Sequence, residues 1–171
     1  SEYAVHRLLQ SAEDIRSTNA HDIPSNTWSG LYRRRCCRRV GPWNEALERW
    51  QDVEYNARFA LLAPHCAHVA APLYHMRSHE KGRIIDYKNS VEGVAPGLHS
   101  LREIEYVYEA AGVEPPHLLK GFYFKLVRSA LCGGDSDQVE ATLQGAMKHG
   151  REPAFQAKLT LLKWIYRLVG G

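Results

Sequence analysis

The chain has 171 residues, 44% of them hydrophobic and 24% charged, with a formal charge of +3, the profile of one globular domain able to bury a core. No apolar run approaches ~20 residues, which excludes a membrane-spanning helix, and cysteines at 36, 37, 66 and 132 form no short disulfide framework, which points to a reducing compartment. The mild charge permits an anionic partner without demanding one.

In chain order the apolar pattern is helical almost throughout. Glu2 to Ser11 places Tyr3, Val5, Leu8 and Leu9 on one side, and Asn19 to Asn26 is a polar loop around Pro24. Trp28 to Val40 repeats apolar residues at Trp28, Tyr32, Cys36 and Val40, one turn apart. Gly41-Pro42 is expected to stop that helix and start the next, Trp43 to Asn56, with Leu47, Trp50 and Val53 inward. Pro64 to His79 reads as a helix with a kink at Pro72, and Lys81 to Gly97 as a long polar connection in which "GRIID" is the one candidate strand. Leu98 to Ala111, His117 to Cys132, Ser136 to Lys148 and Phe155 to Val169 complete the set of helices.

An internal repeat runs through this pattern. "GVEP" at Gly112–Pro115 returns as "GREP" at Gly150–Pro153, a shift of 38 residues at which Lys120 meets Lys158 and Lys125 meets Lys163. Leu31, Cys37, Glu45 and Ala46 stand at the same mutual spacings as Leu126, Cys132, Glu140 and Ala141, a shift of 95 residues. The unit is a helical hairpin closed by a Gly-x-x-Pro stop and restart, since Gly suits a helix C-terminus and Pro the next N-terminus. A hairpin cannot bury its apolar stripe alone, so an all-α solenoid of stacked hairpins is expected. The divisions are 1–26 for an N-terminal helix and loop, 27–63 for a first repeat, 64–115 for a second carrying the insertion 81–97, 116–152 for a third, and 153–171 for a capping helix. In this scheme Cys37 and Cys132 pack between helices.

At these residues the chain resembles the pentatricopeptide repeat family. "FYFKLVRSALCGGDSDQVEATLQGAMKHGREP" carries the Leu-Val pair of a first helix, Leu-Cys before the turn, Glu-Ala opening the second helix and Met147 before the Gly-x-x-Pro. "LYRRRCCRRVGPWNEALERW" resembles the same unit without its ending, and "LHSLREIEYVYEAAGVEP" its second half. The family usually implies reading of single-stranded RNA, one base per repeat, through a polar side chain in the first helix. That place falls near Lys125 or Leu126, and near Gly30 or Leu31, with no Asn, Ser or Thr at any of them. A scaffold without its reader is similar to the small pentatricopeptide-like subunits on the F1 sector of euglenozoan mitochondrial ATP synthases. That resemblance implies a non-catalytic matrix protein bound outside the alpha subunits, with no cofactor; structural subunits of the mitochondrial ribosome or of a respiratory complex are the further alternative of the same style. The chain begins at Ser1 rather than Met, which fits an expected loss of a targeting segment.

Two other features carry chemistry. In "PHCAHVAAPLYHMRSH", His65, His68, His75 and His79 share one face of an unbroken helix, and His75 and His79, one turn apart, suit two ligands of a zinc ion, although no Cys-x-x-Cys completes a tetrahedral set. Cys66 beside His68 is a generic thiol pair. "CGGD" lacks the lysine of a phosphate loop, and there is no Gly-x-Ser-x-Gly elbow, so no catalytic residues are expected. In "LYRRRCCRRVG", Arg33, Arg34, Arg35, Arg38 and Arg39 form the candidate partner surface, able to pair with acidic protein side chains or with phosphate or simply to solvate a helix face.

Overall fold

In the computed structural model, residues 32–62, 90–116 and 118–169 are described. Among them every regular element is helical: α1 (Arg34–Val40), α2 (Gln51–Leu62), a single 3-10 turn (Val91–Gly93) leading into α3 (Val94–Ala110), α4 (Leu118–Ala130), α5 (Ser136–His149) and α6 (Pro153–Val169). The chain is all-α over these residues, and none of these helices is long and apolar enough to cross a membrane.

The helices form where the 3.6-residue period puts apolar side chains on one side. In α4, Leu119, Phe122, Tyr123, Leu126, Val127 and Ala130 are all buried, a broad stripe that makes this helix the centre of the core. α3 contributes Val94, Leu98, Leu101, Ile104 and Tyr108, α5 contributes Val139, Leu143 and Ala146, and α6 adds Leu159. Each large side chain so buried stabilises the fold by about 1.5–3 kcal/mol. Polar groups inside the core find local acceptors, as where Thr142 Oγ1 donates to Val139 O at 2.9 Å.

Contacts between side chains fix the helix directions. Gly97 lies against Leu126 while Glu105 meets Tyr123, so α3 and α4 run antiparallel. The start of α4 meets the end of α5, with Lys120 paired to Glu152 and Tyr123 stacked on His149 at 5.6 Å. α5 and α6 are antiparallel as well, because Lys163 reaches back to Glu140 at 2.5 Å and Gln156 donates to Met147 O at 2.8 Å. α3 and α5 run side by side in the same direction, Lys148 pairing with both Glu105 (2.7 Å) and Glu109 (3.4 Å). The two Gly-x-Glu-Pro connections thereby become neighbours, and Arg151 of one donates to Glu114 of the other at 2.7 Å. Gly112, at φ +65°, ends α3 in the left-handed conformation that glycine adopts without steric cost. α5 starts on Asp135, whose carboxylate accepts from Gln138 N at 2.7 Å, the usual N-terminal cap.

The expected helix Trp43–Asn56 is displaced along the chain, because Pro42 starts no helix. Residues 43–50 form turns and bends, and α2 begins at Gln51. Trp43 leaves the backbone path to stack on Tyr55 (4.4 Å, 8° between rings). Trp50 takes φ +53°, an uncommon state for a bulky residue, and its carbonyl accepts the first helical bond from Glu54 N at 3.0 Å. Neighbours over-determine that conformation. The Trp50 ring packs on Phe122 at 4.7 Å, and the buried Arg49 guanidinium covers it at 4.1 Å while donating to Gly93 O at 2.9 Å.

The polar connection expected over Lys81–Gly97 ends earlier than the sequence suggests. Val94 to Gly97 belong to α3, and Val94 is fully buried. The 95-residue correspondence also fails in space: Glu140 and Ala141 lie inside α5, whereas Glu45 and Ala46 occupy a turn. Cys132 is exposed in the turn after α4, not packed between helices, and Cys37 is half-buried in α1. The segments Glu2–Ser11 and Pro64–His79 and the candidate strand "GRIID" lie outside the described residues.

Candidate functional site

The arginine tract forms an exposed basic face. Residues on an α-helix advance about 100° each, so Arg34, Arg35, Arg38 and Arg39 share one side of α1 while Cys36, Cys37 and Val40 take the other. Arg33 extends the face as the residue preceding the helix, in an extended conformation and with no side-chain cap. All five arginines are exposed, and among the described residues none is in an ion pair. Arg38 and Arg39 lie in the last turn, where the helix dipole favours cations, but Arg34 and Arg35 crowd the opposite end, where it does not. A sequence optimised only to form this helix would place acids there.

α1 is pinned by α2. Arg58 donates through Nε to Glu54 (2.6 Å), through Nη1 to Val40 O (2.7 Å) and through Nη2 to Pro42 O (2.8 Å), so one guanidinium holds both α2 and the chain leaving α1. Tyr32 Oη donates to Asn56 at 2.8 Å on the approach to α1. Tyr55 sits under the helix, where burial, then the Cys37 thiol beside it, push its hydroxyl pKa up.

A second polar centre joins α3, α4 and α5. Glu105 accepts from Tyr123 Oη at 2.6 Å, from Lys148 Nζ at 2.7 Å and from His149 Nε2 at 2.7 Å. An ionised carboxylate can only accept, so His149 carries its proton on Nε2 in this pair. Burial raises the Glu105 pKa, but the bonds from His149, Lys148 and Tyr123 outweigh it and hold the carboxyl at about 2. Burial and then the neighbouring Glu105 carboxylate push the Tyr123 hydroxyl well above the ordinary tyrosine range. With three donors on one carboxylate the centre is closed upon itself and acts as a pin between helices. Sequence reasoning missed it because its members are up to 44 residues apart and form no motif.

The place where a base-reading side chain would stand is occupied otherwise. Leu126 is sealed in the core, and Lys125 is exposed with its ammonium 5.2 Å above the Phe122 ring. Gly30, Leu31 and the histidines His65, His68, His75 and His79, together with Cys66, lie outside the described residues. Among the described residues no group of three or more His, Cys, Asp or Glu side chains could hold a metal ion.

No protein-family model matches the chain, and no curated protein or solved structure matches it.

Proposed function

We propose that the chain is a non-catalytic structural subunit of a large mitochondrial assembly, built as an α-solenoid of pentatricopeptide-like hairpins and docked through its arginine face. The best-fitting assembly is the F1 sector of an ATP synthase, with the chain in the matrix against the outside of the alpha subunits. The observation that carries this reading is the tract Arg33, Arg34, Arg35, Arg38 and Arg39, exposed on a helix that Arg58 clamps to the body. A row of exposed guanidinium groups on one helix face suits bidentate pairing with carboxylates. The solenoid reading draws on α3, α4 and α5, where each helix packs antiparallel on the next and parallel to the next but one, with the two Gly-x-Glu-Pro connections adjacent.

The same arginines suit phosphate, so an organellar RNA-binding protein is the second reading. Leu126 in the core and Lys125 over Phe122 favour the first, since sequence reading needs a polar side chain free to meet a base edge. Replacing all five arginines by glutamine separates them. The variant is expected to keep its helical circular dichroism and to lose retention of ATP synthase alpha subunit from a mitochondrial matrix extract. A wild-type chain that instead retains a defined RNA, with sequence preference that persists at 200 mM salt, contradicts the proposal.

A further inference from the structure

α6 has two apolar sides, and the described residues of the body pack on one of them. Phe155, Leu159, Leu162 and Tyr166 pack on the body, while Leu161 is 54% exposed, Trp164 60%, Ile165 43% and Leu168 65%. The open side follows a heptad register, with Ile165 beside it at e. Ala154, Ala157, Leu161, Trp164 and Leu168 recur at intervals of three, four, three and four, the a and d positions of a coiled-coil heptad. In that register Lys158 stands at e, its ammonium 4.6 Å over the Phe124 ring, and Arg167 at g, both exposed, at positions where coiled-coil helices pair with opposite charges on a partner.

We propose that this face is a docking seam for an amphipathic helix of a protein partner whose flanking e and g positions are acidic. The inference rests on the reading of the chain as a partner-binding subunit, but it concerns a surface separate from the arginine tract. Charge selects the occupant. α6 carries Lys158, Lys163 and Arg167 and no acidic residue, and Lys163 is already paired with Glu140. A second copy would bring another helix of positive charge, with no acidic residue on it to meet Lys158 or Arg167. A membrane surface accepts any broad apolar face and requires no heptad register. Here the alanines at 154 and 157 let a second backbone approach one half of the seam, and Leu161, Trp164 and Leu168 form knobs on the other. The seam is about 21 Å long from Ala154 to Leu168 at a rise of 1.5 Å per residue, two heptads of contact.

The test uses the full chain and two synthetic 21-residue helices, both with leucine at a and d, one with glutamate and one with lysine at e and g. Trp164 reports docking through a blue shift of its emission, assigned by its loss in Trp164→Phe. The glutamate helix is expected to bind about tenfold more tightly than the lysine helix. The double change Lys158→Glu and Arg167→Glu is expected to invert that preference with unchanged circular dichroism, and Leu161→Asp with Leu168→Asp to abolish binding of both. Equal affinity for the two helices, or binding of neither, overturns the proposal. So does burial of Trp164 through concentration-dependent dimerisation in sedimentation equilibrium, or stronger partition of the chain onto vesicles of 70% phosphatidylcholine and 30% phosphatidylglycerol than onto the glutamate helix. The arginine-to-glutamine variant retains the seam, so failure of the subunit reading and failure of this one are separately visible.

Discussion

Two glycine-to-alanine changes, identical on paper, are expected to move stability in opposite directions. Gly121 lies in α4 and Gly145 in α5, and in either helix alanine gains about 0.5–1 kcal/mol over glycine through backbone entropy. At Gly121 an added Cβ meets nothing within 4 Å, so the gain stands and Gly121→Ala stabilises by about 0.5–1 kcal/mol. At Gly145 an added Cβ falls 2.5 Å from Tyr123 Cζ and closer still to Cε1 and Cδ1. The ring cannot simply retreat, because it is buried, stacked on His149 at 5.6 Å and tethered by its hydroxyl to Glu105 at 2.6 Å. Overpacking costs about 1–3 kcal/mol, and displacing the ring weakens a hydrogen bond to a charged group worth about 1.5–3 kcal/mol. Against the propensity gain, the net for Gly145→Ala is a loss of about 1.5–5 kcal/mol. Urea unfolding followed by circular dichroism at 222 nm reads both changes, with the slope held common. Equal signs for the two variants would refute the close packing of Tyr123 against α5. A second check is Tyr123→Ala, which removes the clash and leaves Gly145→Ala in that background neutral or stabilising.

Further predictions follow from named contacts. The Glu105 carboxyl has its pKa lowered from 4.5 to about 2, so its contribution is complete above pH 4.5 and is lost as the pH falls from there toward 2, a swing on the order of 3 kcal/mol. Stability curves at fixed ionic strength should show that acid limb in the native chain and a weaker one in Glu105→Gln, which is also expected to be less stable by about 1.5–3 kcal/mol at pH 7. Asp135→Ala removes the cap bonded to Gln138 N at 2.7 Å and should cost about 1 kcal/mol in the same urea assay. Glu114→Ala, which deletes an exposed pair with Arg151, should change stability by no more than about 0.5 kcal/mol.

The legible part of the fold is the part with clean local signals. α3 to α6 follow their apolar periods to within a few residues, helped by Asp135 before α5 and Pro153 at the start of α6. α2 was not legible, because its start is fixed from outside. Trp50 holds φ +53° against Phe122, and Arg49 reaches Gly93, contacts that cross more than 40 residues of chain. Nothing in the local string around Pro42 announces them, and Pro42 itself supplied the wrong start signal. The early start of α3 has the same origin, since Val94 is helical in order to bury its side chain.

The candidate surfaces divide in the same way. The arginine face was visible because five cations in seven residues cannot all turn inward on any helix. The correspondence of Cys37 with Cys132 misled, because equal spacing in sequence does not survive a shifted helix boundary. Glu105, Tyr123 and His149 each read as ordinary helix residues until three helices converge on one carboxylate. The seam on α6 was half visible: the sequence shows apolar residues on two sides, and the packing of α4 and α5 on one of them leaves the other exposed.

The most direct measurement is gentle native purification of the chain from its source cells, with mass spectrometry of the co-migrating proteins and an RNA assay on the same fraction. The account predicts ATP synthase alpha and beta subunits in fixed proportion to the chain and no RNA beyond a salt-labile background. A fraction that carries a defined RNA and no F1 subunits would contradict it, and would make this chain an RNA-binding repeat protein that reads bases by residues other than Lys125 and Leu126.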